Sequence, residues 1–438
     1  MKKSSIKFSV IMIFILCLIV AVMGTSHLLK ERDKKMEKDT NKSILADTKT
    51  EEKADTERNT DQETDVEINA EKDTSGETEK KTNTEKETHI QIETDTKTQI
   101  KDNENVPDKE NFAENIISDK NVTLSFVGDI YVSPMMYEHY QASGISGVIS
   151  EKIQNIFKSV DIAAADHEYV CGDLPESYKV DYQQYTFLTP SAREGILKDF
   201  SFDVMTLANN HMMDYGTEGL ASTIREIKKQ GIETIGGGSD LSQAMAPYIK
   251  EVNGKKIAIL AATRVVPQID WYAQKDKAGL MTTYEQTDRF QMLKEEITRL
   301  KTEENCDIVI MYVHWGNDSD KTILGNQVTL GHGYIDAGAD IVIGNHTHVL
   351  QGMEFYQGKL ICYGISNFLF GSYHSDTMVL TLEIDEANHI TPKMLPCNSE
   401  MFYTTEIEGE AAENMFRYIE SMSENVSISS DGIITEKR

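Results

Sequence analysis

Between Glu31 and Asn111 the chain has no Phe, Tyr or Trp and cycles instead through Thr, Glu, Asp, Lys and Asn. Too little apolar surface is present to offset the entropy of ordering such a stretch, which excludes a packed core and predicts a self-repelling, disordered linker. Roughly ninety residues of this kind span about 50 Å as a flexible coil. Positive charge is also scarce: 44 Lys and Arg stand against 72 Asp and Glu, a formal net charge of −28. That balance argues against nucleic acid as a partner. An anionic partner would need a metal ion or a local Lys/Arg cluster. Only five cysteines occur. Cys17 lies inside an apolar run, and Cys171, Cys306, Cys362 and Cys397 show no paired spacing, so neither a disulfide framework nor a thiolate zinc site is expected. No internal repeat is evident.

One long apolar run is present. Lys2, Lys3 and Lys7 precede Phe8 to Met23 (FSVIMIFILCLIVAVM), which suits a single-pass anchor with its basic end in the cytoplasm. A cleavable signal is the rival, given the small residues Gly24 and Ser26. Either way the bulk of the chain is expected outside the cell membrane. The expected organisation is an anchor or signal at 1–27, an acidic Thr/Glu/Lys-rich linker at 28–118, a folded domain at 119–400, and an acidic tail at 401–438 with one helix near Ala411 to Met422.

From Val122 strand and helix signals alternate. VTLSFV, DIAAAD, FDVMTLA, KKIAILAAT, CDIVIMYV and DIVIG read as buried strands, and TEGLASTIREIKKQ as a helix capped by Thr217 with Gly231 just past its end. This predicts an α/β domain with much parallel pairing, whose ligands gather at the carboxyl ends of the strands. Polar residues sit at those ends. Asp129 in SFVGD can reach a cation or make an Asx-turn. Glu168 can bridge cations or cap a helix, and the neighbouring Asp166 and His167 must also be received by something polar. Asn210 can offer its carbonyl oxygen to a metal while His211 faces a substrate, and Asp214 can hold the His211 imidazole or cap the next helix. His314, after five apolar residues out of six, is a ligand or a core histidine bonded to backbone. His346 and His348 point to one side if the backbone is extended, as ligands or as satisfied polar core. Carboxylate, carboxamide and imidazole donors without thiolate suit two divalent ions such as Mn, Fe or Zn. Arg193 and Arg264 are candidate anion contacts or simply exposed arginines.

The order of these motifs, GD, an acidic segment, TLANNHMMDYGTEGL, GGG, HWG, IDAGADIVIGNHTHVLQGME and a final SNFLFG, resembles the bacterial capsule synthesis protein CapA family over about Asn121 to Leu382. The resemblance implies a calcineurin-like metallophosphatase fold of two packed β-sheets flanked by helices (αββα). It also implies metal ligands at Asp129, Glu168, Asn210, His314, His346 and His348, with His211 as the acid. Where the family has Asn-Leu-Glu this chain has Asp166-His167-Glu168. Thr347 replaces a proline, Asn317-Asp318-Ser319-Asp320 replaces a Glu after His-Trp-Gly, and the usual Ser-Leu-Gly-Asn-Phe reads Tyr363-Gly364-Ile365-Ser366-Asn367-Phe368. The expected role is synthesis, export or attachment of poly-γ-glutamate or a related capsule polymer, beside the membrane subunits of a polymer synthase. The alternatives are a wall-associated metal-dependent phosphoesterase and a non-catalytic, metal-stabilised polymer-binding subunit.

Overall fold

Most of the continuous apolar runs become strands buried on both faces, the pattern of a parallel sheet covered by other layers. The computed structural model describes residues 121–181 and 183–437. The anchor or signal at 1–27 and the linker at 28–118 lie outside the described residues. Among those described, no helix is long and apolar enough to cross a membrane. The strands of the two large sheets are, in chain order, β1 (Val122–Ile130), β2 (Ile162–His167), β3 (Val204–Thr206), β4 (Glu233–Ile235), β5 (Tyr248–Val252), β6 (Lys255–Thr263) and β7 (Ile308–His314). They continue with β8 (Ile341–Asn345), β9 (Met353–Tyr356), β10 (Lys359–Cys362), β11 (Asn367–Leu369), β12 (Ser375–Ile384), β13 (Ile390–Glu400) and β14 (Tyr403–Glu406).

The first sheet runs β14-β13-β12-β1-β2-β3-β4, with β11 alongside the end of β1. The second runs β9-β10-β8-β7-β6-β5. Parallel pairing holds in the centre of each (β1-β2-β3-β4 and β6-β7-β8-β10), and antiparallel strands extend the edges. One core lies between the sheets, and Phe126 meets Tyr312 edge-to-face across it at 5.8 Å. A second core packs the first sheet against helices Pro134–Ser143, Glu151–Ser159 and Gly216–Lys229. A third packs the second sheet against helices Asp288–Thr302 and Gly325–Asp336. The layering is therefore helix, sheet, sheet, helix, as expected.

Strand alternation decides what reaches the space between the sheets. In β7, Ile308, Ile310 and Tyr312 face the inner core and Val309, Met311 and Val313 the outer one. His314 is in phase with the inner set. In β2, Ile162 and Ala164 are inner and Ala163 and Ala165 outer, so Asp166 and Glu168 fall inward and His167 outward. In β1, Leu124 and Phe126 are inner and Val127 outer, and unbroken alternation would send Asp129 outward as well. A register shift between Val127 and Asp129 absorbs Gly128 and sets Asp129 opposite the inward Asp166.

Two local expectations need correction. Thr217 does not cap the helix Gly216–Lys229: the cap position is Tyr215, and the Thr217 hydroxyl bonds Glu218. Gly216 opens that helix at φ 63°, a backbone state that glycine adopts without strain, and no side chain caps its first turn. The division drawn at residue 400 meets no structural boundary, since residues 401–437 continue the same compact unit. β14 pairs with β13, and helix Gly409–Ser421 buries Ala412, Met415, Phe416 and Ile419 in the inter-sheet core. Those four recur at helical spacing, so the acidic residues between them occupy the outer face only.

Candidate metal centre

The inward polar residues meet where the parallel strands end. Asp129, Asp166, Glu168, His314 and His346 are all buried, and His348 is partly exposed at the rim. Asp129, Asp166 and His314 bring one ligand atom each within 4.8 Å of one another, and Glu168, His346 and His348 do the same. Two contacts interlock these trios: His314 Nε2 lies 3.5 Å from Glu168 Oε1, and His348 Nδ1 lies 3.3 Å from Asp129 Oδ2. Asn210 closes the set, its Oδ1 2.7 Å from His314 Nε2. All six residues expected as ligands are thus brought together.

The pair His346 and His348 converges by a different route from the one expected. The backbone there is not extended: both residues follow β8 with positive φ, 86° and 54°. Thr347 between them turns away, its hydroxyl bonded to Val349 O. Gly344 permits the close packing beneath, because a Cβ there would fall 2.2 Å from both Trp315 Nε1 and Tyr363 O. His211 belongs to neither trio but stands beside them, near enough to weigh on both His314 and His346. Its Nδ1 is 2.9 Å from Asp214 Oδ2, and Asp214 also accepts from Phe187 N at 2.7 Å and Gln183 Nε2 at 2.5 Å. Asp214 therefore orients the imidazole and does not cap the following helix.

Burial dominates the electrostatics. It raises the Asp129 and Asp166 carboxyls, Asp166 to about 7, and lifts Glu168 well above the usual range with help from the charges of Asp129 and Asp166. The same burial lowers His314 to about 3 and His346 well below its ordinary value. His348 is the exception: burial pulls it down, but the neighbouring Asp129 and Asn367 raise it overall. Among the described residues no Lys or Arg pairs with the three buried carboxylates. Both oxygens of Asp129 and of Glu168, together with His346 Nδ1 and Asn345 Oδ1, are buried without a hydrogen bond. Such atoms are costly unless something positive meets them. This donor set fits divalent metal ions.

Several contributors escaped the sequence reading. Asp166 accepts from Asn209 Nδ2 at 2.8 Å and meets His314 Nδ1 at 2.7 Å, which fixes that ring. Asn367 Oδ1 lies 2.6 Å from His348 Nδ1. Alternation alone would have placed Asp166 on the face of Glu168. Asn367 lies in the SNFLFG motif, but nothing in that motif announces its contact with His348. The outward-facing His167 finds Glu194 at 2.6 Å in a fully buried pair.

Fold and cluster together define an αββα protein with a buried carboxylate, carboxamide and imidazole centre suited to divalent metals. Residues 123–372 match the family model described as bacterial capsule synthesis protein PGA_cap, and the chain belongs to that family. Among its relatives, "PGA biosynthesis protein CapA" of Bacillus subtilis (strain 168) is 32% identical over 258 residues, 58% of this chain and 64% of that one. "Capsule biosynthesis protein CapA" of Bacillus anthracis is 30% identical over 260 residues, 57% of this chain and 60% of that one. The match spans less than two thirds of either relative's own length. Among solved structures, Haemophilus influenzae NAD nucleotidase is distantly similar, with 14% identity, a TM-score of 0.40, and 71% of this chain and 57% of that one covered.

Proposed function

We propose that this chain is an outward-facing component of poly-γ-glutamate or related capsule polymer synthesis, export or attachment, built around two divalent metal ions. The observation that carries the reading is the set of buried, hydrogen-bond-free atoms of Asp129, Glu168 and His346 in a chain of this family. The apolar run Phe8 to Met23 supports a single-pass anchor. The two packed sheets with donors after their parallel strands support a calcineurin-like metallophosphatase fold. Asp129, Glu168, Asn210, His314, His346 and His348 would hold the ions. When bound, such ions supply Lewis acidity and an acidified water. The chain's own residues do the rest. Asp166 holds the Nδ1 proton of His314 so that Nε2 faces the centre. Asp214 accepts the Nδ1 proton of His211, leaving Nε2 to pass a proton to a leaving oxygen.

The His211–Asp214 contact also favours a second reading, a metal-dependent phosphoesterase, because a subunit that only binds polymer needs no oriented acid. Cells lacking the chain altogether are expected to give no surface polymer, and full polymer there would overturn the capsule role; an Asp129→Asn chain that accumulates normally is expected to restore none, and full polymer from it would show that the role does not need the centre. With Mn2+, purified wild type is expected to cleave an aryl phosphate, and His211→Ala to lose about 10²- to 10⁴-fold while holding its metal. Metal retained with no cleavage by wild type would reject the esterase.

A further inference from the structure

Beside the centre stands a wall of three half-buried rings. Tyr131, Phe187 and Phe370 contact one another with centroids 4.5, 5.4 and 5.7 Å apart. The wall touches the centre at two points: Phe187 lies 4.3 Å from the His211 ring, and Phe370 lies 5.1 Å from the His348 ring. Rings of this size left partly open to water, flanking a polar centre, suit a ligand with a flat, weakly polar face. Phe187 is held in place by its own backbone, whose N–H donates to Asp214.

One cation borders the wall. The Arg193 guanidinium sits 5.4 Å over the Tyr137 ring and is close enough to Tyr131 to act on its hydroxyl electrostatically. Arg264, the other arginine singled out in the sequence, is paired with Glu285 at 3.2 Å. Arg193 makes no ion pair among the described residues, although the chain carries a net charge of −28. Its backbone is tied to a turn anchored at the buried Thr189: Thr189 bonds Val132 O, and the Arg193 N–H donates to Pro190 O. A half-buried guanidinium with no carboxylate and an aromatic bed beneath it is prepared for an anion.

We propose that Tyr131, Phe187, Phe370 and Arg193 form a binding subsite for the stretch of an anionic amide chain next to the unit held at the metal centre. The three rings would take its amide planes, and Arg193 one of its carboxylates. A γ-linked glutamate chain carries one planar amide and one carboxylate per unit, so it offers both contacts at a single repeat. The subsite rests on the proposed function for the centre beside it, but it is made of different residues and can fail separately.

The test uses the full chain with Mn2+ and a fluorescently labelled, short γ-linked glutamate oligomer, followed by anisotropy across a salt series. Arg193→Gln is expected to weaken binding about tenfold, as loss of a charge-assisted contact should, and to flatten the salt dependence. Tyr131→Leu is expected to weaken binding while leaving the salt dependence as in wild type. The same oligomer with its carboxylates methyl-esterified should bind weakly and be indifferent to Arg193→Gln. Equal oligomer binding by wild type and Arg193→Gln overturns the subsite, as does no binding by wild type or tight binding of the ester. A preference for polyphosphate that depends on Arg193 overturns the amide-chain assignment. Mn2+ affinity, read separately by calorimetry, should be unchanged in both variants. Oligomer binding that depends on Arg193 in a chain that takes up no Mn2+ would keep the subsite and reject the metal centre.

Discussion

Asp166 shows how much of the centre is fixed by a side chain that need not touch an ion. It joins Asn209 to the Nδ1 side of His314, and that ring then presents Nε2 toward Glu168 and Asn210. Replacing Asp166 by Ala is expected to weaken Mn2+ binding by roughly 10- to 100-fold, with Asp166→Asn, which keeps an acceptor for His314, losing less. Titration calorimetry checks both, and Mn2+ binding by Asp166→Ala equal to wild type would remove the role. At this scale the donor identities were legible in the sequence, because a carboxylate or imidazole ending a buried apolar strand needs a reason to be there. Orientation was less so. His346 and His348 meet the centre through left-handed backbone, which an H-x-H spacing does not announce. The Asp166–His314 contact crosses 148 positions, a separation that no local pattern spans.

Among the elements, β1 carries the decisive irregularity. Gly128 lies against β11 so closely that a Cβ would fall 1.6 Å from Ser366 O, a backbone atom with no freedom to move aside. Gly128→Ala is therefore expected to cost about 1–3 kcal/mol or more in urea unfolding and to reduce bound metal, since the strand must shift where Asp129 is aimed. Unchanged stability and metal content would mean that the bulge is not what sets Asp129. The C-terminal helix is the other element with a wider reach. Phe416 is 5% exposed in the inter-sheet core, and Phe416→Ala is expected to cost about 3–5 kcal/mol by the same unfolding measurement, against little change if 401–437 were an appendage. The central strands were readable as apolar runs. The C-terminal helix was legible too, expected near Ala411 to Met422 and found at Gly409–Ser421, but its burial in the domain was not, because its acidic residues face outward and only the packing shows where its apolar face goes.

For the molecule as a whole, the cluster makes stability depend on pH in a way that reveals what it is built to hold. Asp166 in the fold is raised by burial to about 7 from an ordinary 3.8, and Asp129 and Glu168 are raised for the same reason. A group raised in the fold lends stability that is complete below its unfolded value and is lost as pH climbs through its folded value. His314 has the opposite sign: lowered to about 3 from 6.5, it favours the fold increasingly as pH rises between those values and adds nothing further above them. His348, raised in the fold, loses its contribution in the same direction as the carboxyls. From about pH 6.5 to about pH 8 only the falling contributions remain, so the chelator-treated protein is expected to melt at progressively lower temperature across that window. Divalent metal should reverse the trend, because ionised Asp129, Asp166 and Glu168 are the forms that an ion stabilises, and each proton released on binding tightens the site as pH rises. Thermal melts in chelator and in Mn2+ at matched pH check the argument. Parallel curves with and without metal across the window would mean that these carboxyls do not face a cation, and the reading of the centre would fall with them.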